Sequence, residues 1–263
     1  VSGIDDLSRQ WLDFCQRERT PANTIARRTA VLRSVGNAGT ATREQVEDWW
    51  GNTAHLAPST RANALACLRA FYKWCRRWEH RPDDPTLRLD APKVPAGLPR
   101  PIGRADLRLV LMSAEPDVRR AVALGAYAGL RVSEAAQLDW ADVDLEARRM
   151  RVTGKGQRTR LVAVGSVLID ELLPDVGGNV VAAGGTPSTA GTLQHRANRA
   201  IRAAGVDATF HQLRHRYGTL AYQATGDLIA VGRQMGHSSP VTTAVYAASA
   251  DEMADVIAEA VGR

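Results

Sequence analysis

Through most of the first ~95 residues, apolar positions recur at spacings of three and four, the period that turns one face of an α-helix towards a core. In DDLSRQWLDFCQRE, residues 5–18, Leu7, Trp11 and Phe14 share such a face. A second helix is expected in TPANTIARRTAVLRSVG, residues 20–36, with Thr20 as N-cap and Pro21 in the first helical position, where its missing N–H does no harm. Thr42 followed by Gln45 has the form of a capping box and predicts a third helix over 42–50. The longest apolar stripe runs through 58–78, where Ala64, Leu68, Phe71, Cys75 and Trp78 align. On a helical wheel Arg69, Lys73, Arg76 and Arg77 lie opposite that stripe, so one face can pack while the other meets a polyanion. A plain solvated face has the same pattern.

The periodicity stops at 81–104, RPDDPTLRLDAPKVPAGLPRPIGR, where each proline disfavours helix in the residue before it. An extended linker is expected there. Helical patterns resume at 104–114 and 115–130. Two short β-branched runs in RRMRVTGKGQRTRLVAVG, residues 148–165, then flank the turn GKGQ, a hairpin signal. Further helices are expected over 189–205, Gln212–Ala224, Leu228–Met235, Val241–Ala247 and Asp251–Val261. The fold class is therefore mainly α. A helical N-terminal domain spans 1–95 and the end of a linker 96–103, and an α+β domain with a small sheet or hairpin spans 104–263.

Composition narrows the function. The chain of 263 residues carries a formal charge of +6 and a pI of about 9.6, in the range of nucleic-acid-binding domains. Its cations are nearly all arginine, with lysine only at Lys73, Lys93 and Lys155. The planar arginine fork suits phosphate, although an Arg- and Ala-rich coding bias gives the same composition. Cys15, Cys67 and Cys75 form no CxxC pair. On one helix Cys67 and Cys75 would be roughly 12 Å apart along the axis, too far for a disulfide. Reduced cysteines, no apolar run long enough for a bilayer and no signal-peptide pattern together lead to the expectation of a soluble cytoplasmic protein.

The segment HQLRH, residues 211–215, places two histidines four apart around an arginine. The spacing by itself allows a helical zinc site, a packed core segment or part of an active site. The glutamate that follows the first histidine in zinc proteases is replaced here by Gln212, and no cysteine lies in this domain to complete a ligand set. No metal and no cofactor are expected. Leu213, Tyr217 and Leu220 would pack on the same helix. Packing does not account for the other polar motifs: Arg131 in AGLRVSE, Lys155 at the hairpin tip, His237 in MGHSS and Tyr246 nine residues beyond it.

Taken in order, GLRVSE, TGKGQRTRLV, HQLRH, GHSS and TTAVY resemble the tyrosine recombinase, or phage integrase, family, in a two-domain form without an arm-binding domain. The match covers residues 103–263, and the helical first domain is similar to that family's core-binding domain. The resemblance implies a site-specific recombinase that cuts and rejoins DNA through a 3′-phosphotyrosine link. By it, Tyr246 is the nucleophile, Arg131 and Arg214 clamp the scissile phosphate, and His237 donates a further hydrogen bond. His211 accepts the tyrosine proton and Lys155 protonates the departing 5′-oxygen. His215 is expected to be structural, and Glu134 to orient or cap rather than to exchange protons.

The implied partners are double-stranded DNA at attachment or crossover sites, bound by a homotetramer on two duplexes and nucleoid-associated when engaged. Accessory DNA-bending or directionality proteins are compatible with that role. The tail DEMADVIAEAVGR, with its apolar face Met253, Val256, Ile257, Ala260 and Val261, would exchange between protomers or dock in cis. Gln212 departs from the aspartate of many members, and YAAS lacks the histidine often found after the tyrosine. Two other readings are a type IB topoisomerase-like nicking-closing enzyme and a catalytically silent DNA-binding regulator, which should have lost one of the six residues.

Overall fold

The structure is a computed structural model, and it describes residues 3–95, 100–154, 156–172, 178–182 and 186–236. The chain divides into two compact units, Val1–Ala96 and Gly97–Arg263.

The first unit contains α1 (Asp6–Arg17), α2 (Ala22–Val35), α3 (Arg43–Asn52) and α4 (Pro58–Arg77). Asp5 caps α1 by accepting the Ser8 N–H at 2.9 Å, and its second oxygen takes the Gly39 N–H at 3.1 Å, pinning a distant loop to the helix start. The capping box at α3 forms: Gln45 accepts the Thr42 N–H at 2.9 Å and Thr42 accepts the Gln45 N–H at 3.3 Å. At α2 the expected cap is displaced. Pro21 itself is the N-cap, with extended ψ, and no side chain caps the helix.

The core lies along α4, where Leu65, Leu68, Phe71, Tyr72 and Cys75 are buried and Trp11 meets Phe71 edge-on at 5.4 Å. The buried face is wider than the expected stripe, and Trp78 falls off it, 53% exposed. Trp78 is the C-cap residue at the open end of α4, where its ring still meets Phe14 edge-on at 6.1 Å.

The proline-rich stretch after α4 is not an extended linker over its whole length. Arg81 donates to the carbonyls of Ala38, Gly39 and Ala41, and Thr86 and Leu89 are buried in the first unit. Proline excludes helix, but it does not stop a segment from packing when its polar groups find partners. The three cysteines are buried and free.

The second unit contains α5 (Arg104–Ser113), α6 (Pro116–Ala128), α7 (Val132–Gln137), a 3-10 turn (Trp140–Asp142), β1 (Val143–Asp144), β2 (Arg149–Thr153), β3 (Thr159–Ala163), α8 (Ser166–Leu172), α9 (Ala190–Ala203), α10 (Phe210–Thr225) and α11 (Leu228–Met235). Helices α7 and α8 and the two-residue strand β1 are too short to carry a periodic signal. The three strands pair antiparallel in the order β1-β2-β3, with Met150 opposite Val162 and Val152 opposite Arg160. Met150, Val152 and Val162 point into the core. Helix α6 is buried nearly all round, from Val118 to Ala128, as a central helix should be.

Gly125 lets α10 approach closely: a Cβ there would lie 3.1 Å from the Phe210 ring and 3.3 Å from Leu213. Gly129 ends α6 in the left-handed conformation with φ 66°, and a Cβ there would meet the Tyr217 ring at 2.5 Å. These two glycines bring the residues just after α6 against the first turns of α10. Leu220, expected to pack, is 45% exposed, because Tyr217 rather than Leu220 faces α6.

Candidate active site

Helix α10 starts at Phe210 because Gln212, its third residue, accepts the Thr209 N–H at 2.7 Å. Gln212 therefore has a local task that aspartate or glutamine can perform. The cap orients the first turn, which carries His211, Arg214 and His215. Arg131 is the N-cap residue of α7, and its N–H donates to the Glu134 carboxylate at 2.9 Å.

Glu134 is the hub. It is buried, and three guanidinium groups gather round it. Arg131 donates to Oε1 at 2.9 Å, and Arg160 donates a fork to Oε1 and Oε2 at 3.0 and 2.9 Å. Arg214 stands 3.8 Å from Oε2. Burial by itself would raise the Glu134 pKa; the hydrogen bonds from Arg160 and the Arg131 backbone, and both charges, hold it below the usual glutamate value. It is an orienting anion, as expected, and not a proton donor at neutral pH.

The same guanidiniums converge on the end of α11. Arg214 donates to the Met235 carbonyl at 2.7 Å and also to the Gly129 carbonyl. Arg131 donates to the Gly236 carbonyl at 3.1 Å and to the Met235 carbonyl at 3.4 Å, and Arg160 Nε donates to the Gln234 carbonyl at 2.8 Å. A helix C-terminus is the negative end of its dipole, so cations are favoured there. Arg214 is fully buried, whereas 38% of the Arg131 side chain is open to solvent.

His211 is exposed at the mouth of this cluster. Desolvation, then the Arg214 and Arg131 charges, push its pKa below the usual imidazole value, which keeps it neutral and able to accept a proton. His215 packs edge-on against it, ring centroids 4.5 Å apart, and is driven down to about 4 by burial, His211 and Arg214. Among the described residues no group of three His, Cys, Asp or Glu side chains gathers as a metal site.

Arg131, His211 and Arg214 are thus brought together. Lys155, His237, Tyr246 and the apolar tail lie outside the described residues. Their flanks are visible: a Cβ on Gly154 would lie 3.1 Å from Glu134 Oε1, and Gly236 accepts from Arg131. Arg160 is the residue that motif reading missed. The signal was an arginine at a position of β3 with the same parity as Val162, hence on the buried face.

In the first unit Arg69, Lys73, Arg76 and Arg77 are exposed on α4, opposite the core. Arg69 also donates to the Leu89 carbonyl, so it braces the segment after α4.

Residues 111–253 match the family model described as the phage integrase family. The chain belongs to that family. Its relatives include tyrosine recombinase XerD of Xanthomonas campestris pv. campestris, 32% identical over 225 residues that cover 75% of this chain and 70% of XerD. Tyrosine recombinase XerC of Actinobacillus pleuropneumoniae is 29% identical over 256 residues, covering 87% and 83% of the two chains. Among solved structures, XerH bound to a palindromic difH substrate superposes with a TM-score of 0.73 at 20% identity, covering 97% of this chain and 85% of XerH. A lambda integrase dimer on a COC′ core site gives 0.74 at 16% identity, covering 91% and 75%. At those identities the likeness establishes the fold. This phage integrase family member is a site-specific tyrosine recombinase, and neither the topoisomerase-like nor the silent-regulator reading is favoured. No helix among its described residues is long and apolar enough to cross a membrane.

Proposed function

We propose that the chain binds duplex DNA at a crossover site and exchanges strands through a 3′-phosphotyrosine intermediate on Tyr246, as a homotetramer on two duplexes. The observation that carries this reading is the charge balance at Glu134. Three guanidiniums around one carboxylate leave two positive charges in excess, beside a neutral histidine. Such a place suits one phosphodiester, with Arg131 as the solvent-facing donor and Arg214 behind it.

In the reaction the Tyr246 hydroxyl oxygen bonds to phosphorus while the bond to the 5′-oxygen breaks. His211 takes the tyrosine proton, and Lys155 gives one to the leaving oxygen. Arg131, Arg214 and His237 meet the charge that collects on the non-bridging oxygens. The phosphoryl bond energy stays in the covalent link, so attack by a free 5′-hydroxyl rejoins DNA without a nucleotide cofactor.

A nicked suicide substrate tests the reading directly: the released fragment diffuses away and protein stays attached to DNA. On that substrate Lys155→Ala should slow cleavage by roughly 10²-fold, the usual worth of a general acid. Sulfur at the 5′ bridging position leaves without protonation and should restore the rate. Equal impairment on both substrates would confine Lys155 to phosphate binding.

The exposed cations of α4 support a role in holding duplex DNA. Neutralising Lys73, Arg76 or Arg77 should lower the salt slope of binding by about one unit for each that meets a phosphate, leaving single-turnover cleavage at saturating DNA unchanged. Arg69→Ala carries an added loss of stability through its bond to Leu89. A slope unmoved by all four substitutions would return this face to plain solvation.

A further inference from the structure

The alternation of β3 turns Arg160 inward beside Val162 while Thr159, Leu161 and Ala163 point out. An arginine facing inward is costly unless its donors are matched. Here they are matched by two elements remote in sequence. The guanidinium forks both oxygens of Glu134 at 3.0 and 2.9 Å, and its Nε holds the Gln234 carbonyl at 2.8 Å. The Ala163 N–H adds a longer bond to the Gln234 side chain at 3.4 Å. The fit is close: a Cβ on Gly236 would lie 2.7 Å from Arg160 Nη1 and would push the guanidinium from its place, while the φ of 67° itself favours glycine.

Arg160 therefore holds Glu134, which orients the phosphate clamp directly, and the Gln234 carbonyl, which lies just before the two carbonyls that receive the clamp. Glu134 orients Arg131 through two hydrogen bonds and stands next to Arg214. The Met235 and Gly236 carbonyls, the next two after the one Arg160 holds, receive Arg131 and Arg214. Arg160 itself leaves only 14% of its side chain open and directs its Nε and both terminal nitrogens into the protein.

We infer that Arg160 is a positioning residue for strand cleavage: it sets the placement and charge balance of Arg131 and Arg214 through Glu134 and the end of α11, without touching the phosphate. The inference rests on the phosphotyrosine reading above. A displacement of about 1 Å at reacting groups costs on the order of 10²-fold in rate, and without the Arg160 fork Glu134 and the Gln234 carbonyl lose donors that fix their positions.

The test is single-turnover cleavage of the nicked substrate by Arg160→Gln, on the natural phosphodiester and on a methylphosphonate at the scissile position. The methylphosphonate lacks the charge that the clamp serves. The variant should bind a single site as the wild type does and cleave the phosphodiester about 10²-fold more slowly. On the methylphosphonate its defect should shrink to a few-fold, because a misplaced clamp matters less to a neutral group. Arg160→Lys keeps the charge but not the fork, and should show a smaller defect with the same dependence on substrate. A defect equal on both substrates, or none on the phosphodiester, overturns the inference. If Arg160→Gln does not fold, the substrate dependence of Arg160→Lys decides by the same criterion. Wild-type protein that forms no covalent adduct overturns the phosphotyrosine reading and this one with it; an active wild type with an indifferent Arg160 variant overturns this one alone.

Discussion

Tyr246→Phe is expected to bind its DNA site as tightly as the wild type and to form no covalent adduct with a nicked substrate. The substitution removes one oxygen. Phenylalanine keeps the ring and whatever packing it makes, so affinity for DNA, which rests on phosphate contacts, should hold. Without the hydroxyl no bond to phosphorus can form. Loss of an essential nucleophile lowers turnover by roughly 10⁶-fold, and the adduct should fall below detection by denaturing gel. A mixing experiment sharpens the result. Wild-type and mutant protomers on one nicked site should yield adduct only from the wild-type protomer. An adduct at undiminished yield from Tyr246→Phe would place the nucleophile elsewhere in the chain.

The second large effect is on stability. Glu134→Ala removes the one anion that three guanidiniums share in a buried setting. Breaking a buried pair from one side costs about 3–5 kcal/mol, because the partner charges stay behind without compensation. For a unit of this size that corresponds to a drop in Tm of about 10 °C. Glu134→Gln keeps the shape and one acceptor and should lose less. The wild type has a matching acid response. The Glu134 pKa is depressed in the fold, so its contribution is full above the ordinary glutamate pKa and disappears as pH falls below it. His215 acts in a higher window. Its folded pKa of about 4 lies below the ordinary imidazole value, so stability falls as pH drops through the range between them, where only the unfolded chain takes up the proton. Thermal melts across this range, with Glu134→Gln and His215→Asn beside the wild type, check both. A Glu134→Ala melt within a degree of the wild type would mean that the network holds nothing together.

Much of this protein was legible in its residues because the signals are local. The capping box of Thr42 and Gln45, the stripe of α4, the hairpin around GKGQ and the glycine before Arg131 each declare themselves within a few positions. The ordered motifs then pointed to the family and its chemistry. Where a local signal is weak the structure differs: Pro21 is the cap, Trp78 is half exposed at the end of the stripe and Leu220 turns outward. Prolines in 81–89 excluded helix but carried no information on whether the segment would pack, since its partners, the carbonyls of Ala38, Gly39 and Ala41, lie some 40 residues away.

By itself the sequence determined the longer helices among the described residues, the hairpin, the family and the chemical types available to the site. The tertiary structure alone decided which arginines share a carboxylate. Arg131 and Glu134 are one helical turn apart and could be paired from spacing, but Arg160 reaches Glu134 across 26 residues and Gln234 across 74. No periodicity couples positions so far apart. Their meeting depends on the pairing register of β2 and β3 and on the close approach of α6 and α10 at Gly125 and Gly129. The same packing buries Arg214, one of the largest fully buried side chains among the described residues, in a place that its donors to Gly129 and Met235 and its nearness to Glu134 help make tolerable.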